Sequence, residues 1–196
     1  EIPKRDWSSD VCSSDLSTFN RTGGTFTHNS GTVSFTNGPY TITPGSSMTF
    51  SNVIMDNIGS GSNPTTLTLG GNFTVANDLT IRNTNANSYQ ITIAGAYTVT
   101  VQGDLLFPST AQTGGVSVSA PTFQVAGNLT MSDSSVTLSS NITFNGTGDQ
   151  TITKTAGSVS GGTWTVDRSS ESAGAAVKLG GTLSTGRPFV LTTGTL

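Results

Sequence analysis

Two stretches whose starts lie 50 residues apart carry one alternation. NFTVANDLTI from Asn72 and TFQVAGNLTM from Thr122 align Phe73 with Phe123, Val75 with Val125, Leu79 with Leu129 and Ile81 with Met131. Between them, YTVTVQGDLLF from Tyr97 is a looser third copy. Apolar residues at every second position give a strand one buried and one solvated side. A unit that returns about every 25 residues cannot bury its apolar row alone, so it has to stack on its neighbours. The predicted fold is all-β: a parallel β-helix (β-solenoid) of roughly eight coils of about 20–25 residues, of either hand, with little or no α-helix.

Other short runs fit the same pattern. TFT at Thr25 to Thr27, TVSF at Thr32, YTIT at Tyr40, TLTL at Thr66, NITF at Asn141, QTIT at Gln150 and TWTV at Thr163 are separated by Gly, Asn, Ser or Pro turns. No window shows the 3.6-residue period of a helix, and Ala and Glu are too sparse to build one. A longer repeat is also present. YTIT matches QTIT, and TLTLGG ending at Gly71 matches AVKLGG ending at Gly181, each offset by 110 residues. This suggests a higher-order unit of several coils, present in roughly one and a half copies.

Coils stacked at about 4.8 Å would line up Phe, Val, Ile and Leu in internal ladders and turn Thr and Ser outward, in a rod of roughly 40 Å. The pairs Gly70-Gly71, Gly114-Gly115, Gly161-Gly162 and Gly180-Gly181 are expected at corners that need positive φ. Asn77, Asn128, Asn141 and Asn145 are expected at similar corners, with amides stacked between coils. Longer turns at Asn57 to Pro64 and Phe107 to Gly115 depart from uniform coils.

Composition agrees and narrows the function. Of 196 residues only 10% are charged and 33% hydrophobic. Disordered sequence is usually poor in Val, Ile and Phe, which here recur in order. With 8 basic against 11 acidic residues and a net charge of -3, the chain has no basic patch for a phosphate backbone, so no nucleic-acid partner is expected. No apolar stretch approaches the roughly 20 residues of a membrane helix, and no membrane insertion is expected. Thr, β-branched and hydroxylated, lets a sheet meet water without charge.

The first sixteen residues stand apart. Glu1 to Leu16 hold six of the nineteen formal charges, the only cysteine (Cys12) and one of two tryptophans (Trp7). The run DWSSDVCSSDL from Asp6 to Leu16 resembles, residue for residue, one reading frame of a common short-read sequencing adapter. Residues 1–16 are therefore set aside as adapter-derived, and residues 17–196 are read as a solenoid fragment truncated at both ends. Without them the chain has no cysteine, seven acids and six bases. Neither a disulfide framework nor thiol chemistry is then expected.

GTFTHNSGTVSF from Gly24 and FNGTGDQTIT from Phe144 resemble the recurring units of large bacterial surface and secreted β-solenoid proteins, the adhesin-like and autotransporter-passenger-like class. VKLGGTLSTGRPFVLTTGTL at the end is similar to their following element. The resemblance covers most of residues 17–196 and implies display outside the cell, in chains often much longer than this one.

Candidate chemistry is sparse. His28 is the only histidine and is placed in a turn beside Asn29, with no carboxylate or serine partner in a motif. Asp56, Asp78, Asp104, Asp133, Asp149 and Asp167 are dispersed, and Glu171 is the only glutamate after residue 16. Asp78 and Asp104 each precede an aligned leucine, so they would stack if their coils are neighbours, as turn-initiating residues rather than a catalytic pair. Gly146-Thr147-Gly148-Asp149 is similar to part of a calcium-binding nonapeptide turn but lacks its second Asp, and is read as a plain turn. The sequons at Asn20, Asn72, Asn128, Asn141 and Asn145 follow from abundant Asn and Thr. Phe26, Phe35, Phe73, Phe123, Phe144 and Trp164 are assigned to the core. Thr-x-Thr at Thr25, Thr41, Thr66, Thr98, Thr151 and Thr163 raises ice binding, but the separations are too irregular for one strip.

No catalytic, cofactor-binding or metal residue is assigned. The expected function is structural and adhesive: an extracellular or cell-surface segment without catalysis, meeting glycans, surfaces and adjacent solenoid coils of a longer chain. The alternatives are a carbohydrate-binding or carbohydrate-active β-helix whose active site lies outside this segment and, more remotely, an ice-binding solenoid.

Overall fold

A computed structural model describes residues 18–21, 26–45, 48–58, 64–168, 175–183 and 188–193. Residues 1–16, Thr25 and Glu171 lie outside them. Every regular element described is a strand. All the strand pairings are parallel, and they wind the chain into a three-faced solenoid.

The first face stacks β1 (Thr18–Asn20), β3 (Tyr40–Thr43), β6 (Thr65–Leu69), β9 (Ile91–Ala94), the start of β12 (Val116–Val125), the start of β14 (Val136–Phe144) and β16 (Ser158–Val159). The second stacks β4 (Thr49–Phe50), β7 (Phe73–Val75), β10 (Thr98–Val101), the ends of β12 and β14, β17 (Trp164–Asp167) and β19 (Phe189–Thr193). The third stacks β2 (Thr32–Thr36), β5 (Asn52–Asn57), β8 (Leu79–Asn83), β11 (Leu105–Phe107), β13 (Leu129–Met131), β15 (Gln150–Lys154) and β18 (Val177–Leu179). Six coils have a described strand on all three faces, fewer than the eight expected. The shortfall arises because the described residues complete only part of a coil at each end. Seven strands on the third face span about 29 Å at the usual spacing.

The alternation read from the sequence is the stacking register. Phe73 pairs with Val99 and Val99 with Phe123, while Leu79 pairs with Leu105 and Leu105 with Leu129. The inward side chains form continuous ladders, such as Val75, Val101, Val125, Phe144 and Val166, all 0% exposed. An edge-to-face aromatic group closes the first coils, where the Phe50 ring lies 5.5 Å from those of Phe26 and Phe73. Phe26 thus joins the core, although residues 26 and 27 are not strand as expected.

Coil length varies at the corners. Val99 follows its partner Phe73 by 26 residues, but Ile142 follows Phe123 by only 19. That short step follows a bulge, where Ala120 and Pro121 of β12 oppose Ser140 alone and Ala120 takes φ 77°. The turns from β5 to β6, β8 to β9 and β11 to β12, the last including the stretch from Pro108 to Gly115, lie at the corner from the third face to the first.

Of the paired glycines with a described backbone, only Gly162 has positive φ, at 78°. There a Cβ would lie 2.2 Å from the Ser140 carbonyl oxygen. Gly70, Gly114 and Gly180 instead avoid close contact, while a Cβ on Gly181 would meet nothing within 4 Å. A Cβ on Gly70 would meet Thr43 Oγ1 at 2.5 Å, and one on Gly180 would meet Thr153 Oγ1 at 2.6 Å.

The 110-residue repeat is real as a stacking pair but is not a repeat of position. Thr41 pairs with Thr68 on the first face, and Thr151 pairs with Lys178 in the same way on the third. Gly70 N–H donates to Ile42 O and Gly180 N–H to Ile152 O, both at 2.8 Å. The second copy therefore sits four turns and two faces further along the chain.

Candidate functional site

The ionisable residues fall into separate structural roles. Asp78 and Asp104 do stack, at the corner leading into the third face. Asp104 N–H donates to Asp78 Oδ1 at 2.9 Å, and Asn128 N–H donates to Asp104 Oδ1 at 2.7 Å. Thr151 N–H continues the series onto Asn128 Oδ1 at 2.8 Å. Each side-chain oxygen accepts the backbone donor that begins the next coil's strand, which is what a short Asp or Asn at a turn does best.

Asp56 is fully buried on β5 and receives Arg82 Nε at 2.7 Å and Thr84 N–H at 3.0 Å. Asp133 is also buried and accepts the Ser135 N–H and hydroxyl. His28 closes a turn, its Nδ1 accepting the Ser30 N–H at 3.1 Å. Among the described residues, no three His, Cys, Asp or Glu side chains gather in a way that could hold a metal.

The Gly146–Asp149 turn is engaged by cationic side chains of this chain. Gly148 O accepts from Arg168 at 2.7 Å, and Asp149 pairs with Lys178. That lysine contact and the Ala176 N–H hold the Asp149 carboxyl below the usual aspartate pKa. Behind the turn, the buried Gln150 amide makes four hydrogen bonds. It accepts from Gly146 N–H and Arg168 and donates to Val125 O and Gly127 O.

What the fold assembles instead is an array on its outer faces. On the second face one column runs Asn72, Thr98, Thr122, Asn141 and Thr163. Beside it run Thr49, Thr74, Thr100, Gln124, Thr143 and Thr165. Asn72 Oδ1 accepts Thr98 N–H at 2.7 Å and Asn141 Oδ1 accepts Thr163 N–H at 2.8 Å, which fixes both amides. The first face carries Thr66, Thr92, Ser117, Thr137 and Ser158 in one column, with Thr41, Thr68, Ala94, Ser119 and Ser139 in the next. Ser139 and Ser160 hydroxyls bond each other at 2.6 Å. The third face mixes half-buried Ile54 and Leu106 with Arg82 and Lys178.

The Thr-x-Thr pairs do not share one strip. Those at Thr41 and Thr66 lie on the first face, those at Thr98 and Thr163 on the second and that at Thr151 on the third. Counting Thr-x-Thr alone missed that Asn, Gln and Ser occupy the intervening rungs of the same columns. The inter-coil register was the signal that could have found them. Among the expected core aromatics, Phe35, Phe73, Phe123, Phe144 and Trp164 are buried, so none offers the second face a stacking platform. No family model matches the chain, and no curated protein or solved structure matches it either.

Proposed function

We propose that this chain is a structural and adhesive solenoid segment, working outside the cell or at its surface rather than as an enzyme. The observation that supports the reading is the repetition of uncharged hydroxyl and amide groups in register along two faces of a stacked core. A single threonine contact with a polymer is weak. Contacts repeated at a fixed pitch add up, because once one rung is engaged the next binds at high effective concentration. Glycans and other repetitive polar surfaces suit such rows, and further coils would extend them.

Retention of beads carrying the chain on a set of immobilised polysaccharides tests this. Binding through uncharged rows should persist at 1 M salt, where the screening length is only about 3 Å. Loss of retention on every polysaccharide, or release of cleaved sugar by the chain, would overturn the proposal.

A further inference from the structure

The second face has a property beyond general adhesion, and it lies in its two spacings. We propose that this face adsorbs to ice. Five consecutive coils each present two outward side chains there, and of those ten, seven are Thr, two are Asn and one is Gln. None is charged. Rungs repeat along the axis at about 4.8 Å, and the two columns stand about 6.6 Å apart, twice the rise of a parallel strand.

Water supplies nearly the same rectangle. Hydrogen-bonded oxygens about 2.75 Å apart in tetrahedral geometry place next-nearest oxygens about 4.5 Å apart, and the repeat across two puckered layers is 8/3 of the bond, about 7.3 Å. Each edge agrees within about a tenth, and the mismatch accumulated over five rungs is about 1 Å, within reach of side-chain rotation.

The chemistry favours an ordered water surface over a single sugar chain. Thr offers a hydroxyl that donates and accepts, next to a methyl group that fits between water positions, and its branched Cβ keeps few rotamers. Asn72 and Asn141 are held by their bonds to the next coil's backbone. A site for one glycan chain normally has a concave shape and aromatic stacking. Here Phe73, Phe123 and Trp164 point inward, Tyr97 is exposed only at the edge of the face beside Thr98, and the outward side chains form two columns in register. The first face is a poorer lattice, since Ala94 interrupts it and its serines lack the methyl.

The test uses the whole chain and three variants: Thr100→Tyr and Thr143→Tyr at the middle of the second face, and Thr92→Tyr on the first. Thermal midpoints by circular dichroism show which variants keep the fold. The chain should partition into a growing ice front and produce thermal hysteresis. Each second-face variant that keeps its midpoint should lose hysteresis about fivefold, as expected when a central contact of a multipoint surface is removed. Thr92→Tyr should retain it. Exclusion of the unmodified chain from ice, or an equal loss in Thr92→Tyr, would overturn the proposal. So would second-face variants that lose polysaccharide retention while ice growth is unchanged, an outcome that would leave the adhesive reading standing.

Discussion

Gln150 shows how much a single side chain can hold in a fold whose surface is almost all repetition. Its buried amide satisfies two backbone carbonyls, one backbone N–H and one guanidinium N–H. Gln150→Leu keeps the volume but removes those four hydrogen bonds from the interior, leaving the Arg168 guanidinium with one acceptor fewer. Stability should fall by about 3 kcal/mol or more, read as a lower urea midpoint with an unchanged slope. Asp149 contributes through pH instead. Its carboxyl is depressed by Lys178, so its stabilisation is present above the unfolded-state pKa and is lost as pH falls through the lower folded value. An NMR titration should place Asp149 below ordinary aspartates, and Lys178→Met should return most of the difference.

At the scale of the strand, the two glycine sites predict different costs from one added methyl group. Gly162→Ala forces a positive φ on a residue with a Cβ aimed at backbone 2.2 Å away, whereas Gly70→Ala meets a threonine hydroxyl that can rotate. Gly162→Ala should be the more destabilising by about 1–2 kcal/mol in urea unfolding. Equal losses would show that the corner relaxes.

Strand identity was legible wherever alternation was clean, as in Phe73–Val75 or Leu129–Met131. It was less legible in β5, where Asp56 and Asn57 are both buried through hydrogen bonds that only the neighbouring coil supplies. The beginnings of β12 and β14 were obscured by serine, whose hydroxyl favours turns as readily as strands. The columns of the second face were the least legible, because a coil that shortens to 19 residues shifts the spacing between aligned threonines without disturbing their stacking.

Across the molecule, each coil touches chiefly the coils before and after it, so stability is a chain of neighbour terms. Coils with neighbours on both sides should exchange their amide hydrogens most slowly. Hydrogen exchange by mass spectrometry is expected to show the strongest protection from β7 to β14, falling toward β2 and β18. Uniform protection would indicate a single cooperative unit. Core truncation should follow the same gradient. Phe123→Ala, with a ladder partner on each side, should cost about 3–5 kcal/mol.

The stacking pair seen first at Tyr40 and again at Gln150 bears on where in the coil one local sequence can serve. Because the later copy lies on a different face, the fold recognises two adjacent strands and their glycine, and it does not count whole turns. The same pair of stacked strands and its glycine close a corner on the first face and again on the third, so one local sequence serves two places in the coil.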